Sequence, residues 1–236
     1  MKSISIIIPA YNEEKSLADA VKTINVVVRS IFKDYELLIL EDGSSDRTGI
    51  IADNLAKKNA KIRAIHFGRN RGFGYAYRQG VYRSSKKYVM MVPGDNEILK
   101  KSIKDILKHT GEADIIIPYI INKEVRSITR RVISICFTTL LNILFGFHLK
   151  YYNGLVLYES SLVKKVKMTT DSFAFQAEIL IRLLKKGYSY KEVPMYIKKP
   201  AEGHKTKVFK IKNLIGVISS ITRLFFEINF ASRKGS

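Results

Sequence analysis

The chain has 236 residues, of which 46% are hydrophobic and 26% charged, a profile that fits one globular domain with an appendage and excludes wholesale disorder. Lys and Arg number 41 against 21 Asp and Glu, a formal charge of +20. The excess is uneven, with 20 basic and 14 acidic residues up to position 122 and 21 against 7 beyond it. Such a field attracts polyanions, whether nucleic acid, an anionic membrane surface or a phosphorylated substrate, without choosing among them.

Met1-Lys2-Ser3 leads directly into the apolar run at residues 4–8, so no targeting peptide is expected. That run reads as a strand, and Leu17, Ala20, Val21, Ile24, Val27 and Val28 then recur at helical spacing. A second strand is expected at 35–40, followed by a turn and a helix capped by Ser45 or Asp46. Further strands are expected at 62–67, 88–92 and 114–117. Strands alternating with helices at these intervals imply right-handed crossovers and a largely parallel α/β sheet. The single Cys136 excludes a disulfide framework and a multi-cysteine zinc site and permits a reducing compartment.

Residues 132–149 are uncharged if His148 is neutral, long enough to be considered as a membrane span. Ser134, Thr138 and Asn142 fall four apart, a polar stripe that lipid would disfavour, so an interfacial helix is the expectation. Ile211, Leu214, Ile215, Ile218, Ile221, Phe225 and Ile228 are expected to share one side of a C-terminal amphipathic helix. The basic run ahead of it, which includes Lys198, Lys205 and Lys207, would lie with it on a membrane surface.

Ligands of open α/β sheets sit beyond the carboxyl ends of the strands. Here those positions hold Pro9-Ala10-Tyr11-Asn12-Glu13-Glu14, Glu41-Asp42-Gly43-Ser44-Ser45-Asp46 and Pro93-Gly94-Asp95-Asn96-Glu97. Acids gathered at one edge of a basic chain are explained by a divalent cation bound with a diphosphate. Asp42 could accept from a base N–H, with Gly43 letting the backbone approach, although an Asp-Gly turn before a capped helix would read the same. Asp95 and Glu97, at alternate positions, could direct two carboxylates at one cation, or could belong to an exposed Pro-Gly-Asp-Asn turn. Strand-end acids and the lack of aromatic-interleaved basic repeats argue against nucleic acid as the partner.

In this order the motifs resemble a family 2 glycosyltransferase of the GT-A fold, nearest the dolichol-phosphate mannose synthase-like polyprenyl-phosphate enzymes. The first two loops carry the resemblance, with Asn70-Arg71-Gly72-Phe73-Gly74, Phe175-Gln176-Ala177-Glu178, Gly187-Tyr188 and Glu192-Val193-Pro194 following. The resemblance implies a Rossmann-like, mainly parallel sheet with flanking helices over residues 1–207, including an interfacial helix at 127–149. Residues 208–236 would form the basic amphipathic C-terminal helix and tail. It further implies an inverting enzyme that moves a sugar from a GDP- or UDP-linked donor to a polyprenyl phosphate. The enzyme would lie peripherally on the cytoplasmic membrane face, and a separate membrane-anchoring subunit is left open.

In that reading Pro9, Tyr11, Asn12, Glu13, Asp42, Gly43, Ser44 and Gly72 bind the nucleotide. Asp95 acts catalytically with Glu97 through Mg²⁺ or Mn²⁺, while Arg126, Arg130, Arg131, Ser134, Lys205 and Lys207 receive the acceptor phosphate. The usual Asp-x-Asp stands here as Pro93-Gly94-Asp95, without its first acid. The alternative is the same core acting on a sugar hydroxyl in glycan or cell-wall synthesis, which needs a carboxylate base, and Glu178 is the candidate.

Overall fold

The computed structural model describes residues 2–199 and 211–230, with side chains of the last helix described from Ile215 onward. Strands β1 (Ser3–Ala10), β2 (Asp34–Glu41), β3 (Ile62–His66) and β4 (Tyr88–Met91) alternate with helices α1 (Leu17–Arg29), α2 (Thr48–Lys58) and α3 (Phe73–Arg83). There follow α4 (Lys100–Lys108), β5 (Ile115–Ile120), a 3-10 turn at Lys123–Val125 and α5 (Ile128–Phe145). The chain continues through β6 (Leu157–Glu159), α6 (Ser160–Lys164), α7 (Phe175–Leu184), β7 (Tyr190–Met195) and α8 (Ile211–Phe230).

The seven strands form one sheet in the order β3-β2-β1-β4-β6-β5-β7. All neighbours are parallel except β6, which runs antiparallel to both β4 and β5. This is the expected Rossmann-like arrangement with helices on both faces. Strand alternation sends Ile4, Ile6 and Ile8 into a core shared with Leu17, Ile24 and Ile106, while Ile7 joins an opposite core with Tyr77, Val81 and Leu180. Burial on both faces is why β1 reads as an almost continuous apolar run.

Two strands lie outside the sequence expectation. β6 has three residues, too few for a periodicity to register, and β7 (Tyr-Lys-Glu-Val-Pro-Met) is polar and holds Pro194, as an edge strand can. The expected single apolar side of α8 is divided. Ile221 and Leu224 are buried in the core and Phe225 and Ile228 pack against it, whereas Ile215, Ile218, Phe226 and Phe230 are exposed. The side chains of Ile211 and Leu214 lie outside the described residues. An apolar helix with two neighbours, core on one flank and open on the other, cannot be resolved by its own moment.

α5 ends at Phe145, where Gly146 adopts a left-handed C-cap, so the uncharged run 132–149 is not one helix. By length and composition α5 could cross a membrane, and 11% of it is buried. Its polar stripe has a protein-facing use: Asn142 Oδ1 accepts from the Leu149 amide at 3.1 Å and the Tyr152 hydroxyl at 2.9 Å.

Gly154 is forced by space, since a Cβ there would lie 2.4 Å from the Pro118 carbonyl oxygen. Gly154→Ala is expected to lower unfolding free energy by about 1–3 kcal/mol through overpacking, as measured by urea titration. At the β2–β3 end His66 Nδ1 meets Glu41 at 3.3 Å and Nε2 meets Asp53 at 2.9 Å. Burial alone would lower the His66 pKa, but these two carboxylates outweigh it and raise it. A raised folded-state pKa gives stability that is fully present below about pH 6.5 and lost as pH rises through the folded value. The stability gap between wild type and His66→Gln should therefore be widest in mild acid and narrow as the pH rises through and beyond neutrality, in urea titrations across that range.

Candidate functional site

The carboxyl ends of β1, β2 and β4 are laced together by backbone. Asp42 N donates to Ala10 O and Gly94 N to Pro9 O, each at 3.0 Å. The first loop then zips to the second: Asn12 N donates to Ser44 Oγ, Ser45 N to Asn12 Oδ1, Glu13 N to Thr48 Oγ1 and Glu14 N to Asp46. Asn12 accomplishes this at φ +56°, a left-handed conformation that Asn tolerates better than most residues. Tyr11 sits half-buried at the head of the same loop. Asp46 Oδ1 accepts from the Thr48 amide at 2.9 Å, so one carboxylate joins the loop zip to the first residue of α2; the N-cap position itself is Arg47, without a side-chain cap bond, instead of the expected Ser45 or Asp46.

Asp42 is 4% exposed and accepts from the amides of Arg71 and Gly72, each at 2.8 Å. Burial raises its pKa, and these two amide bonds oppose that rise without cancelling it. The carboxylate thereby ties the second loop to the glycine-spaced segment before α3. Gly43 (φ +69°) is required there, because a Cβ would fall 2.5 Å from the Arg69 carbonyl carbon. Gly72 turns at φ +96°, and Gly74 lies against Asp171, whose carbonyl oxygen a Cβ would approach to 2.8 Å.

Asp95 Oδ1 accepts from the Glu97 amide at 3.0 Å, and Asn96 between them has φ +57°. Both acids are half-buried at the edge just described. Among the described residues no group of three or more His, Cys, Asp or Glu could hold a metal. Two hard carboxylates fit a divalent ion whose remaining ligands are phosphate and water oxygens, not a closed protein cage.

Beside this turn opens a cavity of about 140 Å³ lined by Lys123, Arg126, Arg130, Arg131, Ser134 and Tyr151, among others. Arg126 Nη1 donates to Tyr151 Oη at 3.1 Å, whereas the Nε atoms of Arg126 and Arg131 are buried without a hydrogen-bond partner. Burial, together with Arg126, lowers the Arg130 pKa, against the attraction of Glu97, Tyr151 and Asp95. The cationic cavity and the acidic turn are therefore electrostatic neighbours. Lys123, Lys150 and Tyr151 also line it and were not expected as site residues. Tyr151 lies two residues before Asn153-Gly154, but an isolated Tyr or Lys in a loop carries no spacing signal.

Glu178 lies elsewhere, on α7, and is 3% exposed. Its carboxylate accepts from the amides of Thr169 and Thr170, from Thr169 Oγ1 and from Arg182 Nε and Nη2. Those donors occupy the lone pairs that a general base needs. Lys205 and Lys207 lie outside the described residues.

The profile of the family described as "Glycosyl transferase family 2" matches residues 5–161. A dolichyl-phosphate beta-glucosyltransferase of Trichomonas vaginalis is 29% identical over 209 residues, covering 81% of this chain and 64% of that protein. A dodecaprenyl-phosphate galacturonate synthase of Rhizobium johnstonii is 22% identical, covering 98% and 69%. The human dolichyl-phosphate beta-glucosyltransferase is 30% identical, covering 62% and 48%. The chain thus spans about half to two thirds of the length of these curated relatives. In fold it is similar to glucosyl-3-phosphoglycerate synthase of Mycobacterium tuberculosis crystallised with UDP, at TM-score 0.71 and 16% identity, covering 96% of this chain and 80% of that one. The same enzyme crystallised with Mn²⁺, UDP-glucose and phosphoglyceric acid gives a TM-score of 0.70. The fold is GT-A, and the chain belongs to glycosyl transferase family 2.

Proposed function

We propose that the protein is an inverting transferase that moves a sugar from a nucleotide-diphosphate donor to a polyprenyl phosphate at the cytoplasmic membrane face. The observation that carries this reading is the cavity beside the Asp95 turn, whose lining gathers Arg126, Arg130 and Arg131 with Lys123 and Ser134. An anionic phosphate there would offset the mutual repulsion of the arginines and accept from their guanidinium groups. A single phosphate bound there would lie next to the edge where a GT-A fold holds its donor. UDP is the first nucleotide to test, since the structural relatives were crystallised with it; GDP is the second.

In this reading Asn12, Asp42, Gly43, Ser44 and Gly72 shape the nucleoside pocket, with Pro9, Tyr11 and Glu13 in its wall. Asp95 and Glu97 would hold Mg²⁺ or Mn²⁺ jointly with the donor diphosphate. When bound, such an ion offsets the charge that grows on the departing diphosphate. An acceptor phosphate oxygen forms the bond to the anomeric carbon as the carbon–oxygen bond to the diphosphate breaks, and the electron pair leaves with the nucleotide. The phosphate is already an anion near neutral pH, so no proton moves and no general base is required. The arginines orient the nucleophile, which removes part of the entropic barrier to transfer. This agrees with Glu178 being engaged in holding residues 169–170, and it disfavours the hydroxyl-acceptor reading.

Replacing Arg126, Arg130 and Arg131 together with Ala should reduce transfer of radiolabelled sugar into an organic-extractable product by about 10²-fold or more, with UDP affinity nearly unchanged. Normal transfer by that variant would remove the acceptor assignment. The exposed apolar side chains Ile128, Val132, Ile135 and Ile143 of α5 and Ile215, Ile218 and Phe226 of α8 support a lipid-facing surface. Flotation with anionic vesicles should therefore show binding that rises at low salt but persists in part at about 1 M salt, where the Debye length is only about 3 Å. A protein that stays with the soluble fraction at low salt would contradict the membrane placement.

A further inference from the structure

The strand β7 continues as a strap that is stitched to the Asp95 turn. Ile197 bridges Ile98 in antiparallel fashion, and Lys198 N donates to the Glu97 carbonyl at 2.7 Å. Asn122, next in sequence to Lys123 of the cationic cavity, pins the same strap by donating to Ile197 O at 2.8 Å and accepting from Ile197 N at 3.1 Å. The Lys198 side chain then reaches Asn96, its Nζ donating to Asn96 Oδ1 at 2.9 Å. Asn96 stands between the two acids at φ +57°, so the ammonium is held at the turn through a neutral amide. An ammonium has three N–H donors, and the amide oxygen accepts one.

The turn is thus flanked by fixed cations on two sides. Arg130 approaches from α5, interacting electrostatically with both Asp95 and Glu97, and Lys198 approaches from the strap. Pro93 stands at the position two before Asp95, where an acid would have added negative charge. With fewer carboxylates to offset and two built-in cations, less of the diphosphate charge is left for a divalent ion to neutralise.

We propose that Lys198 is a diphosphate-binding residue that shares charge neutralisation of the donor with the divalent ion, so that the nucleotide is retained when the ion is removed. This rests on the nucleotide-diphosphate donor reading above. The strap places the ammonium at the same turn whether or not an ion is bound, because its position is set by the backbone bonds to Glu97 and Asn122. Lys198 also links the donor turn to the strap that Asn122 holds at the acceptor cavity.

The test is calorimetric titration of the full-length protein with UDP and with GDP, in excess Mg²⁺ and in excess EDTA, for wild type, Lys198→Met and Lys198→Arg. Wild type should lose no more than about tenfold in affinity on passing from Mg²⁺ to EDTA. Lys198→Met should lose a further tenfold or so in EDTA but less than about threefold in Mg²⁺, and Lys198→Arg should restore most of the EDTA affinity. Uridine, which lacks the diphosphate, should bind wild type and Lys198→Met alike. An equal loss in both conditions, a parallel loss of uridine binding, or no loss at all would overturn the assignment, the first two by making Lys198 a mere prop of the turn. Wild-type binding of UDP only in Mg²⁺ would overturn this inference alone. Failure to bind UDP or GDP in either condition would overturn the donor reading together with it.

Discussion

The loop edge at the carboxyl ends of β1, β2 and β4 depends on one buried carboxylate. Asp42 sits at the end of β2 and accepts from two backbone amides, those of Arg71 and Gly72, in the segment before α3. A buried carboxylate without such partners would cost several kcal/mol and would be held neutral instead. With them, it fixes where the second loop ends and where the third begins. The close contact between Gly43 and the Arg69–Asn70 backbone exists because Asp42 draws the two segments together. The zip between the first and second loops then builds outward from that fixed point, through Asn12, Ser44, Ser45 and Thr48.

Loop chemistry was legible in the sequence wherever a local rule applied. Asp-Gly after an apolar run marked the β2 turn, and Asn70-Arg71-Gly72 marked the helix entry, because glycine freedom and carboxylate capping are short-range properties. The bonds from Asp42 to Arg71 and Gly72 were not legible, since they span 29 and 30 residues. The same limit hid the strap: Lys198 and Asn96 lie 102 residues apart, and a lysine in a basic run looks like a solvated face. β6 and α8 were misjudged or missed for a different reason. Their environment is set by which neighbours flank them, and a strand of three residues or a helix apolar on two sides does not record that in its own pattern.

Charge in this chain is organised by depth as well as by sign. The exposed lysines make the field, but the guanidinium groups that matter most lie partly or wholly out of water, where an anion is worth more to them. Arg130 is held below the ordinary guanidinium pKa by burial and by Arg126, against the attraction of Glu97, Tyr151 and Asp95. Arg182 shows the opposite solution. Burial alone would lower its pKa, but Glu227 and Glu178 outweigh that and raise it, making the pair of carboxylates a closed structural unit.

The reversed strand β6 has a topological consequence. Because β6 runs against β5 and pairs with it directly, with Ile116 facing Leu157, the chain leaves the sheet at Ile120 and re-enters it at Leu157 on adjacent interior strands. Everything between, including α5 and most of the arginine cavity, is in effect the loop of one oversized hairpin. A hairpin loop can be lengthened, shortened or exchanged with small changes in closure entropy and none in the order of the remaining strands. The cavity-bearing portion is thereby one insertion between two neighbouring strands, anchored to the rest of the molecule through Leu141, Phe145 and Tyr152 in the core they share with β1 and β2.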